Sequence, residues 1–577
     1  MKCPDTIKTV LFALTKMKFK PKYDAVLFFM MMLFLCSSMV QKYTNIISFK
    51  ALVGVFEPTP KPELSLESFR STQYQEQLEK HAAENFGFRE PVIRLYNQYV
   101  WSAYNKTYCL FIVPGKQNYL YYALAVNEHN GTELLKHYPS NEAAMADADK
   151  ELRMMNKLRH VLKEYGIEFL AFIAPDKTEI YPEYLPRHDA DTTTIHLSEY
   201  YARRMKETGF PFINMTDWFV SMKDTVSFPL FPKTDSHWRY SAIYGYDSLF
   251  RFMNTLEGEA KFPNIHIGPP VAYESEMMEG DEATLNLMFR IKGDKTKYKS
   301  EITVDADSTH RKPKVLFVGD SFIMGLETFM PIRELMAEKE IWFYNSTAFV
   351  GFDKKTMSVK DINRLSHIIN SDYVVFYSAG HQWREATYGF VKDALIQLCV
   401  SDSLFEASVT DYANQMRNKA PYSNLTEEEL RDEMARMLRN DPEKIPGLDG
   451  KDMPTLRNTK GIATARCINE IQQDEDWLLA LKMYATQQSI PINDALEQEA
   501  FRMIKGEPLL REKTVFDTAT FIEMKKVELI EKWRNDPMQT RFLQEKAKKK
   551  GRSYEEVLEE DARWFIDKKY ENGELFP

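Results

Sequence analysis

The run Lys314-Val315-Leu316-Phe317-Val318 leads directly into Gly319-Asp320-Ser321-Phe322, and this junction constrains the fold more than any other stretch. A short, uninterrupted apolar run bounded by polar residues reads as a strand buried on both faces, the environment of a parallel sheet under helices. Residues 167–174 and 373–377 have the same character. Helical patterns over 143–165, 198–208, 241–255, 329–338 and 359–369 separate the runs. Strands alternating with helices predict a mostly parallel sheet covered on both faces.

Ligands of such sheets bind beyond the C-terminal strand ends, which makes Ser321 a candidate nucleophile. Roughly eighty residues earlier stands Thr234-Asp235-Ser236-His237-Trp238. Side chains two apart on an extended segment point the same way, so Asp235 and His237 can act together. A serine, a base to activate it and a carboxylate to orient the base form the constellation of acyl transfer. For the oxyanion, the expected donors are the backbone N–H groups of Ser321 and Gly351 and the side chain of Gln382, with His381 and Tyr377 facing the pocket. Structural roles compete at each position: Ser321 as a helix cap, His237 and Trp238 as core residues, Asp320 and the pair Asp176–Lys177 as turn formers. The five cysteines, at 3, 36, 109, 399 and 467, form no C-x-x-C or Cys/His cluster, which argues against a zinc site or a disulfide-built fold. Neither a metal nor a cofactor is expected.

A chain of 577 residues exceeds one ordinary core, and three regions are expected. Residues 1–50 form a basic cytoplasmic segment and a signal-anchor helix. Lys2, Lys8, Lys16, Lys18, Lys20 and Lys22 precede a charge-free run over 25–40, near the lower limit of the roughly 17–25 residues that span a bilayer. Lysines on that side favour an N-in orientation. Residues 51–400 form the α/β domain, entered through a proline-punctuated stalk. Residues 401–577 form an all-α domain with a two-fold repeat, in which Ile471, Asp474, Leu481, Ala485, Leu496, Ala500 and Ile504 correspond to Trp533, Asp536, Leu543, Ala547, Leu558, Ala562 and Ile566, a period of 62. Such a module docks a partner or glycan, or merely packs on the sheet domain. A net charge of −9, without a basic patch interleaved with aromatics, argues against nucleic acid as a partner.

Several ordered stretches between about 65 and 400 match one family pattern: Glu84-Asn85-Phe86-Gly87-Phe88-Arg89, Pro114-Gly115-Lys116, Ala174-Pro175-Asp176-Lys177 with Ile180-Tyr181-Pro182, the Asp235/His237 element and the Gly319-Asp320-Ser321 element. Together they resemble the alginate O-acetyltransferase group (AlgX/AlgJ-like, the DHHW family). In these SGNH-type enzymes the Asp-x-His element precedes Gly-Asp-Ser, the reverse of the usual order. The resemblance implies an SGNH-hydrolase-like three-layer sandwich that transfers acetyl groups to hydroxyls of an exported or cell-surface polysaccharide. It also implies a bacterial inner-membrane anchor, a periplasmic body and a membrane-bound acyl donor of the MBOAT type. A deacetylating esterase and a non-catalytic scaffold of an export complex are the alternatives. The pattern departs from the family in two places. The alginate enzyme ends in a carbohydrate-binding β-domain where this chain ends in helices, and the usual Gly-x-Asn-Asp block is replaced by Gly380-His381-Gln382-Trp383.

Overall fold

The computed structural model describes residues 23–54, 59–186, 194–277, 280–291, 295–306, 310–449, 452–514 and 518–571. The six lysines of the N-terminal segment and Pro58 of the stalk lie outside the described residues. The chain forms two compact units, one of residues 1–120 with 277–293 and the other of residues 121–276 with 294–577.

The first unit carries helix α1 (Tyr23–Thr44), whose 20 residues Ala25–Thr44 are long and apolar enough to cross a membrane. The Asn85-Phe86-Gly87-Phe88 stretch packs on this helix. The Gly87 amide donates to Ser38 Oγ at 3.2 Å, and the Phe88 ring stacks on Phe34 with centroids 6.1 Å apart. A Cβ on Gly87 would lie 2.3 Å from the Ser38 carbonyl oxygen, so this approach needs glycine. Helix α2 (Arg89–Tyr104) follows, and its Trp101 joins Ile112, Leu120, Leu285, Leu287 and Ile291 in a small core.

The second unit is built on a seven-stranded sheet. Its strands are β1 (Glu168–Ala174), β2 (Phe212–Asn214), β3 (Lys314–Gly319), β4 (Glu338–Phe343), β5 (Thr347–Val350), β6 (Lys355–Ser358) and β7 (Tyr373–Ala379), in the spatial order β6-β5-β4-β3-β7-β1-β2. All pairings from β4 to β2 are parallel, while β4, β5 and β6 form an antiparallel meander at one edge. The sequence pattern predicts a helix over 329–338. Only two short turns of helix form there, Leu326–Phe329 and Ile332–Leu335, with Pro331 between them capping the second.

Both faces of the sheet are covered. Phe169, Ala171, Ile173, Val374 and Phe376 point into the large core. That core is formed with helices α3 (Asn141–Lys163), α4 (Leu197–Thr208) and α6 (Phe390–Cys399). The alternate residues Phe172 and Tyr377 face the other way, against Trp238 and against Tyr246 of helix α5 (Ala242–Asn254), as the period of two in a strand requires. Three layers result. The large core does not stop at residue 400: Phe405, Val409, Leu430, Met434, Leu438, Ile462 and Ala465 belong to it, so the first helices of the C-terminal region pack as an extension of one sheet face.

Beyond them the helices repeat in register. Helix α7 (Glu475–Gln488) is followed by α8 (Ile492–Lys505), and α9 (Pro537–Lys550) by α10 (Tyr554–Glu571). The starts of α7 and α9, and of α8 and α10, are 62 residues apart. Asp474 and Asp536 are the matching N-caps, each accepting backbone N–H bonds. Leu481, Leu496 and Ala500 fill one small core, and Leu543, Leu558 and Ala562 another.

Candidate active site

The C-terminal end of β3 presents the nucleophile candidate. Gly319 sits opposite Tyr377 in the ladder, and a Cβ there would stand 2.1 Å from the Tyr377 carbonyl oxygen, so only glycine lets the two strand ends close. Asp320 then caps a 3₁₀ turn, Ser321–Gly325. Its carboxylate accepts from the Phe322 amide at 2.9 Å, the Ala379 amide at 2.7 Å and the Ser378 hydroxyl at 3.1 Å. Asp320 is thus the fully hydrogen-bonded knot that ties the β3 and β7 ends together, and burial pushes its carboxyl above the ordinary value against those bonds.

Ser321, His237 and Asp235 meet. His237 Nε2 lies 2.8 Å from Ser321 Oγ, and His237 Nδ1 lies 3.2 Å from Asp235 Oδ1, which also accepts the His237 amide at 3.0 Å. The other Asp235 oxygen is paired with the Arg239 guanidinium. Asp235 is completely buried. Burial works against its charge, yet the His237 hydrogen bond and the Arg239 guanidinium hold its carboxyl well below the usual range. The ionised form of Asp235 is thus favoured despite its burial. The Trp238 indole donates to the Phe322 carbonyl at 3.3 Å and is buried, joining the histidine loop to the serine turn.

Lys177, at the end of β1, holds the Asp-x-His loop from beneath. Its ammonium donates to the carbonyls of Pro232 at 2.5 Å, Lys233 at 2.8 Å and Asp235 at 2.9 Å. It is 3% exposed. Its neighbour Asp176 carries a second His/carboxylate pair, with His381 Nδ1 2.6 Å from Asp176 Oδ1. Burial opposes the imidazolium, but the Asp176 carboxylate outweighs it and lifts His381 above the ordinary histidine value.

One cavity of about 150 Å³ gathers these groups. Ser321, His237, Tyr122, Tyr344, His381 and Gln382 all line it. Tyr344, just past β4, takes a left-handed backbone (φ 48°), with its amide donating to the Gly319 carbonyl at 2.8 Å. Its hydroxyl oxygen accepts from the Ser321 amide, and burial pushes the group up to about 12, so it stays a phenol, able to accept and to donate.

Two expected site residues are not there. Gly351 lies in the β5–β6 turn, where its amide donates to the Lys339 carbonyl at 3.0 Å. Lys339 pairs with Val315 at the start of β3, whereas Ser321 follows its end. The unpredicted β5–β6 hairpin folds residue 351 back to the opposite rim of the sheet. Tyr377 is fully buried and stacked on Phe172 with centroids 4.3 Å apart, because its place in the strand alternation points it into the α5 layer. Gln382 and His381 do reach the cavity. Lys177 and Tyr344 were the groups sequence reasoning undervalued. The Asp176-Lys177 step at a strand end was a visible signal for the first, and nothing in the local pattern marks the second.

Residues 112–325 match the family described as the SGNH hydrolase-like domain of acetyltransferase AlgX. Three solved structures are similar to parts of the chain. The O-acetyltransferase domain of Pseudomonas putida AlgJ is 14% identical, over 47% of this chain and 92% of that one, with a TM-score of 0.30. Pseudomonas aeruginosa AlgX is 15% identical, over 52% and 71%, with a TM-score of 0.33. Bacillus cereus PatB1 is 12% identical, over 42% and 91%, with a TM-score of 0.30. No curated protein matches the chain. The matched segment contains Asp235, His237 and Ser321, and residues 112–325 are an SGNH-type domain of the AlgX acetyltransferase family.

Proposed function

We propose that this protein is a membrane-tethered, periplasmic O-acetyltransferase acting on hydroxyls of an exported or cell-surface polysaccharide. Ser321 attacks the donor carbonyl while His237 takes its proton and Asp235 stabilises the imidazolium. The tetrahedral oxyanion is met by the Ser321 amide and by side-chain donors of the cavity, Tyr344, His381 and Gln382. After the donor's leaving group departs, a sugar hydroxyl attacks the acetyl-serine. The observation that carries this reading is the 2.8 Å contact between His237 and Ser321, with Asp235 engaged on the far ring nitrogen. Support for the location comes from the apolar helix Ala25–Thr44 and from the lysines before it. An MBOAT-type membrane protein supplies the acetyl group.

Ser321→Ala should lower hydrolysis of p-nitrophenyl acetate by at least about 10³-fold with an unchanged circular dichroism spectrum. Turnover within a few-fold of wild type removes the acyl-enzyme mechanism.

A further inference from the structure

Tyr344 lines a second, larger space. A polar cleft of about 530 Å³ is lined by Tyr344 together with Asp147, Glu151, Tyr201, Arg384, Tyr388 and Lys392. Tyr344 is the residue the cleft shares with the catalytic cavity.

The backbone at and beside this shared residue is unusual. Tyr344 (φ 48°), Asn345 (φ 50°), Thr387 (φ 63°) and Tyr388 (φ 50°) all occupy the left-handed region, which costs non-glycine residues of order 1–3 kcal/mol each and gathers at ligand sites. These residues brace one another. Asn345 Nδ2 donates to the Tyr388 carbonyl at 3.0 Å, and the Tyr344 and Tyr388 rings meet edge to face with centroids 5.1 Å apart. The Tyr388 hydroxyl lies 3.0 Å from Ser378 Oγ, which donates to Asp320. These residues are therefore fastened to the turn that carries Ser321.

The cleft lining offers hydrogen-bonding groups of both kinds, held by neighbours outside it. Thr387 donates to Glu151 at 2.5 Å, Lys392 lies 3.7 Å from the other Glu151 oxygen, and Tyr138 donates to Asp147 at 2.9 Å. Carboxylates retain acceptor capacity after one such bond, and ammonium groups are pure donors. Hydroxyls that both give and accept, on a ring whose C–H face packs on tyrosine, fit such a surface; an acyl chain does not. The catalytic cavity itself, at about 150 Å³, is below the roughly 300–1,000 Å³ of small-molecule sites and leaves the acceptor's body outside.

We propose that this cleft is the acceptor subsite, holding a pyranose unit of the glycan so that one hydroxyl passes Tyr344 to reach Ser321; this rests on the acyl-transfer reading above. The sugar oxygen bonds to the acetyl carbonyl carbon and its proton goes to His237 Nε2. As the ester bond to Ser321 Oγ breaks, that proton returns to the serine oxygen. No other reactant is needed.

The test supplies full-length protein with p-nitrophenyl acetate and a mixed pool of neutral and uronate hexasaccharides, and weighs the products. Wild type should yield O-acetylated hexasaccharide. Ala386→Trp, which fills the cleft, should lower the ratio of acetylated hexasaccharide to free acetate at least tenfold. Asp147→Ala, at an exposed position that keeps the fold safe, should lower it several-fold and raise the KM for hexasaccharide. An unchanged ratio in both variants overturns the assignment, as does a wild type that releases acetate but acetylates no member of the pool. Failure of the acyl-enzyme reading is distinct, since Ser321→Ala would then still release p-nitrophenol.

Discussion

The catalytic rim of the sheet and the paired C-terminal helices are built on opposite principles. In the helices, equivalent apolar residues recur 62 positions apart and fill equivalent small cores, and Asp474 and Asp536 cap equivalent starts. Among the described residues almost nothing there is polar and buried, apart from Glu499, which accepts from the Trp477 indole at 2.7 Å and the Leu510 amide at 2.5 Å. At the rim, Asp235, Asp320, Asp176, Lys177 and His381 are all buried within one small region, and four non-glycine residues stand in left-handed backbone nearby. Repetition of pattern encodes packing, whereas chemistry is assembled from single residues of distant loops and held by costly polar contacts.

Substitutions at the two places should therefore fail differently. Among residues that act through the triad's supports, the largest effect belongs to Lys177→Met. Three carbonyls of the Asp-x-His loop lose the ammonium that gathers them, and kcat for p-nitrophenyl acetate should fall about 10²-fold. Because Lys177 acts through the loop, the pH profile should also change shape as His237 loses its fixed partner. A drop in KM alone would make Lys177 a mere turn former. In the helices, Leu481→Ala empties part of a closed apolar core and should cost about 2–5 kcal/mol of stability, read as a lower midpoint in urea, with kcat within twofold. A large loss of kcat in the folded variant would break the contrast.

A smaller effect separates pH from catalysis. Burial pushes the Glu128 carboxyl up to about 7. An acid whose folded value lies above its unfolded one weighs against the fold once pH exceeds the unfolded value near 4.5, and the penalty grows until pH passes about 7. Glu128→Gln should thus stabilise the fold at pH 8 by about 3 kcal/mol, read as a higher thermal midpoint, and change nothing at pH 4. Equal midpoints at both pH values would show that the carboxyl is not penalised.

How legible each region was follows from the same contrast. Strands β1, β3 and β7 are uninterrupted apolar runs, so the parallel sheet and its three active rim ends could be read directly. Asp235, His237 and Ser321 stand in short motifs with a chemical logic of their own. The β5–β6 hairpin could not be read. Thr347–Val350 and Lys355–Ser358 are short, half-exposed strands without strict alternation, and missing them sent Gly351 to the wrong rim. The strand-end position of Tyr377 suggests the pocket, but its parity points it inward, onto Phe172. Tyr344 carries no local mark at all. Its place at Ser321 depends on a left-handed turn after β4 that only the assembled sheet specifies.

The most direct measurement mixes wild-type protein with p-nitrophenyl acetate, quenches within milliseconds to seconds, and maps the acetyl group by proteolysis and mass spectrometry. A burst of p-nitrophenol should accompany an acetyl adduct on the peptide that contains Ser321, and His237→Ala should show neither. Steady ester turnover with the acetyl on another residue, or with no covalent adduct at any time point, would contradict a mechanism that runs through the Ser321 hydroxyl.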